Sequence, residues 1–73
     1  MKTYSKFIEI DSSKRFGKPC IRGTRIAVYD VLGWLANGMT VEQILVDFPE
    51  ISEEEVLSCL AYSADREHKI RVA

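Results

Sequence analysis

The chain has 73 residues, with ten basic side chains, eleven acidic side chains and one histidine. A chain of this length forms one domain, residues 1–73, whose small core supports a stability on the order of a few kcal/mol. No apolar stretch approaches the roughly 18 residues that a membrane span requires, and we find no secretory leader pattern. These features exclude a membrane protein and predict a cytoplasmic location.

The two cysteines, Cys20 and Cys59, could form at most one disulfide. In a reducing cytosol, two buried free thiols are the favoured interpretation over a bridge. A small core without a disulfide usually gains support from a partner chain. Together with candidate edge strands at residues 7–10 and 20–28, this predicts a homodimer or a higher even oligomer.

Charge is distributed unevenly along the chain. Residues 1–36 carry seven basic and three acidic side chains, whereas residues 37–73 carry three basic and eight acidic ones. This asymmetry indicates a basic surface suited to nucleic acid on one side of the molecule. Ordinary solvated surface is the alternative explanation.

Short strands are predicted in residues 1–28, which also hold a basic turn segment. Residues 7–11 alternate, with Ile8 and Ile10 on one side, as in a strand. A polar turn follows, and Pro19 restricts the next strand to a start after it or to a sheet edge. Residues 20–28 suggest two very short extended pieces around a tight turn at Gly23.

The hydrophobic period becomes helical from Tyr29 onward. One face of this first helix carries Val31, Leu32, Leu35 and Ala36. Trp34 lies off that face, which suggests an orientation toward the amino-terminal segment. Gly33 lowers helix stability, and a close packing contact would explain its presence. Gly38 suits the left-handed position that ends a helix.

Two capping boxes predict the starts of the second and third helices. Each box begins with a hydroxyl residue, Thr40 or Ser52. Three residues later, Gln43 or Glu55 has a side chain that can reach back to the backbone amide of that residue. Apolar pairs that fit hydrophobic staples accompany both boxes, namely Met39 with Ile44 and Ile51 with Val56. Helix two then covers residues 41–47 before Pro49.

Helix three is predicted from residue 53 to the late sixties. Its expected buried face consists of Val56, Leu57, Leu60, Ala61 and Ala64. A short second helix, a tight turn and a longer third helix are typical of a helix-turn-helix. The predicted fold is therefore mostly α, with short amino-terminal strands followed by a three-helix, helix-turn-helix-like bundle over residues 29–70.

The sequence contains no convincing catalytic, metal or cofactor site. His68 lies near the carboxyl end among charged residues, and neither cysteine has a metal-binding spacing. Gly17-Lys18 lacks the upstream glycine of a phosphate loop, and Pro19 stands where that loop needs Ser or Thr. We therefore predict a binding protein rather than an enzyme, because general acid–base and nucleophilic catalysis need convergent groups.

A basic segment, residues 14–25, is the candidate functional site. Five cations, two glycines and one aromatic could follow a phosphate backbone. The predicted DNA-binding residues are Arg15, Lys18, Arg22, Thr24 and Arg25. Alternatively, these charges pair with the acidic half of the chain, within a monomer or across a dimer. Three consecutive acids at residues 53–55 argue against base readout by the third helix, which would meet phosphates there.

The string from Gly17 to Val28, Gly-Lys-Pro-Cys-Ile-Arg-Gly-Thr-Arg-Ile-Ala-Val, resembles the bacterial domain-of-unknown-function family 433. The similarity continues through residues 31–40, 44–51 and 56–62. It departs at Phe16, Cys20 and Ala27, where glycine, valine and proline are common in the family. The resemblance implies a homeodomain-like three-helix domain behind short strands.

Members of this family are often described as VapB-type antitoxins that pair with a PIN-like ribonuclease toxin. The resemblance therefore implies an antitoxin of a type II toxin–antitoxin pair that binds such a nuclease and its own promoter DNA. The alternative is a self-associating protein–protein interaction module without nucleic-acid binding. A neighbouring reading frame for a small PIN-like protein with several acidic residues would favour the antitoxin.

Overall fold

Two short strands and three helices make up the fold. The structure is a computed structural model that describes residues 3–70, so residues 1–2 and 71–73 of the predicted domain lie outside it. The elements are a 3-10 turn at Thr3–Lys6, β1 at Ile8–Ile10, β2 at Pro19–Ile21, α1 at Val28–Ala36, α2 at Val41–Asp47 and α3 at Glu53–Ile70. The predicted fold class, mostly α with short amino-terminal strands, is confirmed.

The two strands form an antiparallel sheet in which Ile8 pairs with Ile21. A tight turn follows β2, closed by the Thr24 amide on the Ile21 carbonyl at 3.0 Å. Gly23 adopts φ +80° in this turn, a conformation that favours glycine. The predicted pair of extended pieces around Gly23 is confirmed, since Cys20 also bridges Ala27.

Buried side chains from both strands and all three helices form one hydrophobic core. Its buried members are Ile8, Ile21, Val28, Val31, Ile44, Ile51, Val56 and Cys59. The strand pattern predicts Ile10 on the same side of β1 as Ile8, but Ile10 is 64% exposed and does not join the core. β1 is only three residues long, so it brings one isoleucine, not two, into the core.

Helix α1 differs from its prediction in three respects. It begins at Val28, one residue early, and Ala36 on its expected buried face is exposed. Gly33 has no close neighbour, because a Cβ there would meet nothing within 4 Å, so the expected packing contact is wrong. Trp34 stacks on Phe48 with ring centroids 4.2 Å apart, and thus faces the end of α2 rather than the amino-terminal segment.

Both predicted capping boxes are confirmed. The Gln43 amide donates to Thr40 Oγ1 at 3.1 Å, and the Thr40 amide donates to Gln43 Oε1 at 2.8 Å. The Glu55 amide donates to Ser52 Oγ at 3.2 Å, with the Ser52 amide returning to Glu55 Oε1 at 2.8 Å. Helix α2 has its predicted bounds, and Gly38 ends α1 at φ +97°.

The buried face of α3 is rotated from the predicted one. Val56 and Cys59 are fully buried, whereas Leu57 is 50% exposed and Leu60 39% exposed. Ala64 is also exposed. The amino-terminal turn explains the rotation, because Tyr4 packs edge-on against Tyr62 and donates to Asp65 at 2.5 Å. The core therefore meets α3 along residues 56, 59 and 62.

Candidate functional site

The basic segment, residues 14–25, folds into a loop, strand β2 and the tight turn after it. Two carboxylates outside the segment hold it in place, one from β1 and one from α1. They make all three ion pairs found in the part of the chain that the structure describes. Within residues 3–70, the paired cations contact carboxylates of the amino-terminal half and none pairs with the acidic carboxyl half. Pairing across a dimer, the other form of this alternative, stays a prediction.

Glu9 on β1 joins the two ends of the basic segment. Its Oε2 accepts from Lys14 Nζ at 2.9 Å and from the Gly23 amide at 3.3 Å. Arg22 Nη1 lies 3.5 Å from Oε1 of the same side chain. The hydrogen bond from Lys14, followed by that from Gly23, lowers the pKa of Glu9 below its ordinary value of 4.5. Glu9 therefore stays ionised and holds Lys14 close to the turn at Gly23.

Asp30 in the first turn of α1 holds the loop at the other side. Its Oδ2 accepts from Arg15 Nη1 at 2.9 Å and from the Ala27 amide at 3.0 Å. Partial burial opposes ionisation of Asp30, but the bonds from Arg15 and Ala27 outweigh it, so the pKa of Asp30 is lowered. Arg15 also donates to the Arg25 carbonyl at 2.7 Å. The Arg15 side chain therefore ties the loop to the start of α1.

Two further predicted site residues, Arg22 and Thr24, donate hydrogen bonds to backbone carbonyls. Arg22 donates through Nε to the Lys6 carbonyl at 3.0 Å and through Nη2 to the Ser5 carbonyl at 3.3 Å. The Thr24 hydroxyl donates to the Ile21 carbonyl at 2.8 Å and accepts the amide of Ile26 at 3.0 Å. These bonds build the turn and secure the amino-terminal segment. Any role in DNA binding would come in addition to this structural one.

The remaining two predicted residues are the more available cations. Among the residues that the structure describes, neither Lys18 nor Arg25 is paired with a carboxylate. Lys18 Nζ lies 5.3 Å from the ring centroid of Tyr29, an exposed side chain on α1. Lys18, Arg25 and two aromatic side chains, Phe16 in the loop and Tyr29 on α1, are thus exposed in or beside the segment.

Phe16 is an unusual residue for its backbone conformation. The consecutive φ angles of Arg15, Phe16 and Gly17 are +51°, +59° and +79°. Side chains with a Cβ are disfavoured in this left-handed region. Phe16 is nevertheless 99% exposed, so burial does not compensate the strain. The sequence did contain a signal, since glycine is common at this position in the family that the chain resembles.

A second surface lies on the opposite half of the sequence. Glu53, Leu57, Leu60 and Ala64 follow a helical spacing on one side of α3, and we call them the α3 face. All four are exposed, and Glu54 beside them is exposed too. Sequence reasoning assigned the three apolar residues to the core and so missed this surface. An apolar stripe that begins with acids is suited to a partner with apolar and basic groups.

The described residues include two buried thiols and one exposed imidazole. Cys20 and Cys59 are buried free thiols, as predicted. Burial, with a smaller effect of Glu55, raises the pKa of Cys59 to about 12, which keeps that thiol protonated and unreactive. His68 is exposed, and no group of three or more His, Cys, Asp or Glu side chains within residues 3–70 could hold a metal ion. The helices in this range also include none that is both long and apolar enough to cross a membrane.

Comparisons with known proteins show a solved structure of the same fold and the family of the chain. A solved structure of a DUF433 member protein from Anabaena variabilis superposes with a TM-score of 0.82, at 22% identity, over 94% of this chain and 68% of that one. A Sinorhizobium fredii protein named uncharacterized protein y4eO is 38% identical over 47 residues, which are 64% of this chain and 21% of that protein. The chain thus spans about a fifth of the length of that relative. The model of the family described as "Protein of unknown function (DUF433)" matches residues 8–63, so the chain belongs to this family.

Proposed function

We propose that this domain is the antitoxin of a type II toxin–antitoxin pair and neutralises a PIN-like ribonuclease by binding it through the α3 face. The observation that carries the proposal is the exposure of Leu57 and Leu60 on a helix whose first turn is acidic. Apolar side chains arranged in a stripe on a monomer surface mark a site for another macromolecule.

Charge complementarity favours a ribonuclease as the occupant of the α3 face. A ribonuclease must present cations to the phosphates of its RNA substrate. The exposed carboxylates of Glu53 and Glu54 lie at the end of the α3 face where such cations would meet them. Leu57 and Leu60 would then supply the apolar contact at the centre of the interface, with the acids around it.

Co-expression tests this proposal. A PIN-like ribonuclease encoded beside this chain should arrest growth of a bacterial host when expressed alone, and the wild-type chain should restore growth. The double variant Glu53→Lys with Leu57→Lys should fail to restore growth, because it replaces an acid and an apolar contact by cations. Circular dichroism establishes whether that variant is folded.

Val46→Lys is the matched control, because Val46 is an apolar residue that is 78% exposed on a different helix. It should restore growth like the wild type. The proposal is contradicted if no PIN-like reading frame adjoins the gene, or if the folded double variant neutralises the ribonuclease as well as the wild type.

Promoter DNA is the second part of this proposal, with the basic segment at the phosphates. Within the basic segment, Lys18 and Arg25 have no carboxylate partner among the described residues, and the Arg22 side chain is 55% exposed. A dimer would present about six such cations, which gives a log–log salt slope no steeper than about −5. Fluorescence anisotropy on the promoter at several salt concentrations measures it. A flatter slope and weaker binding are the expected results in Arg22→Ala with Arg25→Ala, because Lys18 remains at the phosphates. An unchanged slope contradicts this part.

Self-association without nucleic acid is the second candidate function. Ile10 on β1 is 64% exposed, which favours a further apolar contact outside the α3 face. We expect a homodimer or higher even oligomer at micromolar concentration in static light scattering. A monomer under those conditions contradicts self-association but does not contradict the proposed binding of a ribonuclease.

A further inference from the structure

The aromatic ring of Phe16 is exposed on a loop and is not part of the hydrophobic core. Phe16 is 99% exposed, and its φ of +59° and ψ of +33° place it in the left-handed region. Glycine would occupy this position without strain. A strained and fully exposed aromatic residue persists where the surrounding structure fixes it, and such residues concentrate at binding sites.

Several bonds hold the loop in a single conformation. The Gly17 amide donates to the Lys14 carbonyl at 3.0 Å, and the Lys18 amide donates to the Arg15 carbonyl at 3.1 Å. Arg15 is tied to Asp30, and Lys14 to Glu9. The backbone that presents Phe16 is therefore ordered before any ligand binds, which lowers the entropic cost of binding.

The basic segment and the start of α1 present cations and a second exposed ring. Lys18 lies over Tyr29, which is 72% exposed, and Arg25 is exposed beside the Arg15 contact. Of the carboxylates near the segment, Glu9 and Asp30 are each bonded to a cation. The surface therefore offers aromatic rings together with an excess of positive charge.

We propose that Phe16 stacks on an unpaired base of a single-stranded nucleic acid, while Lys18 and Arg25 contact its phosphates. Base faces inside a duplex are covered by their neighbours, so an exposed ring has a stacking partner only where bases are unpaired. Rings beside cations are the recurring elements of single-strand binding sites. This site shares Lys18 and Arg25 with the proposed contact to promoter DNA and adds the Phe16 ring to it. It is separate from the α3 face, so it stands without the proposed ribonuclease contact.

Fluorescence anisotropy with the full chain tests the site. The probes are labelled thymidine and uridine single strands of about twelve nucleotides, and a DNA duplex of the same length, at about 50 mM salt. The wild type should bind at least one single strand roughly tenfold more tightly than the duplex. The two single strands distinguish DNA from RNA as the source of the base.

Phe16→Gly separates binding from folding, because glycine accepts the left-handed backbone. It should unfold at the same or a higher urea concentration than the wild type, yet bind the single strand about ten- to a hundredfold more weakly. Phe16→Tyr should keep the affinity, and Val46→Ala is a control at another exposed apolar residue. The proposal is overturned if Phe16→Gly binds the single strand as tightly as the wild type does, or if the wild type binds the duplex as tightly as the single strands. It is also overturned if Phe16→Gly weakens neutralisation of the ribonuclease but leaves single-strand binding unchanged.

Discussion

Arg15 Nη1 lies 2.9 Å from Asp30 Oδ2, and the same carboxylate oxygen accepts the amide of Ala27 at 3.0 Å. One side chain in the first turn of α1 therefore starts the helix and holds the loop that presents Phe16. A left-handed conformation costs a residue such as Phe16 about 1–2 kcal/mol. The Arg15–Asp30 contact is one of the interactions that keep the loop in this conformation.

Replacing Asp30 tests this relationship. Asp30→Ala removes the acceptor for Arg15 and for the Ala27 amide, and we expect a loss of about 1–2 kcal/mol in the free energy of unfolding. Asp30→Asn keeps an acceptor oxygen without the charge and should lose less. Urea unfolding followed by circular dichroism gives both values. Equal midpoints for wild type and Asp30→Ala would show that the contact does not stabilise the fold.

Acid should destabilise the protein through Glu9 and Asp30. The pKa of each carboxyl is lowered in the folded state from ordinary values of 4.5 and 3.8. A lowered folded pKa contributes stability above the unfolded pKa, and this contribution is lost as the pH falls through the folded pKa. We expect urea midpoints that are constant above about pH 5.5 and fall below it. The double variant Glu9→Gln with Asp30→Asn should show a smaller fall, and an identical pH profile would contradict the assignment.

Gly33→Ala should stabilise the protein. Gly33 lies inside α1, and an added Cβ would meet nothing within 4 Å. Alanine improves a helix interior over glycine by up to about 1 kcal/mol. Gly23→Ala is the matched control, because its φ of +80° strains any residue with a Cβ and should lower the urea midpoint. A lower midpoint for Gly33→Ala would reveal a contact made by this position in solution, such as one with a second chain.

The two capping boxes should contribute separately to stability. Thr40→Ala and Ser52→Ala each remove a hydroxyl that accepts an amide of the first helical turn. We expect each variant to lose about 1 kcal/mol, as measured by urea unfolding. Thr40→Ser keeps the acceptor and should lie close to the wild type. A full-size loss in Thr40→Ser would mean that the methyl group, not the cap, stabilises α2.

Local signals in the sequence predicted the ends of the helices well. The capping boxes at Thr40 and Ser52 bring together side chains and amides only three residues apart, so the sequence contains all their partners. Gly38 at the end of α1 is likewise a local feature. The buried face of α3 depends on distant partners. Tyr4 packs against Tyr62 from the other end of the chain, which spacing along α3 cannot indicate.

The position of the basic segment in the chain could be predicted, but the hydrogen bonds and ion pairs of its side chains could not. The five cations in residues 14–25 marked the segment, and its glycines marked the turns. Long arginine side chains reach partners ten or more residues away, as Arg15 does with Asp30, so periodicity does not identify them. The left-handed conformation of Phe16 was also missed, because phenylalanine itself gives no turn signal and the only pointer is the glycine common at this position in the family.

The most direct measurement of the central claim is a titration of ribonuclease activity. The purified PIN-like ribonuclease encoded beside this chain is assayed on RNA while the domain is added in increasing amounts. Activity should fall in proportion to the added domain and end near stoichiometric equivalence. The folded variant Glu53→Lys with Leu57→Lys should leave activity unchanged, whereas Val46→Lys should inhibit like the wild type. Undiminished activity with an excess of the wild-type domain would contradict the antitoxin function.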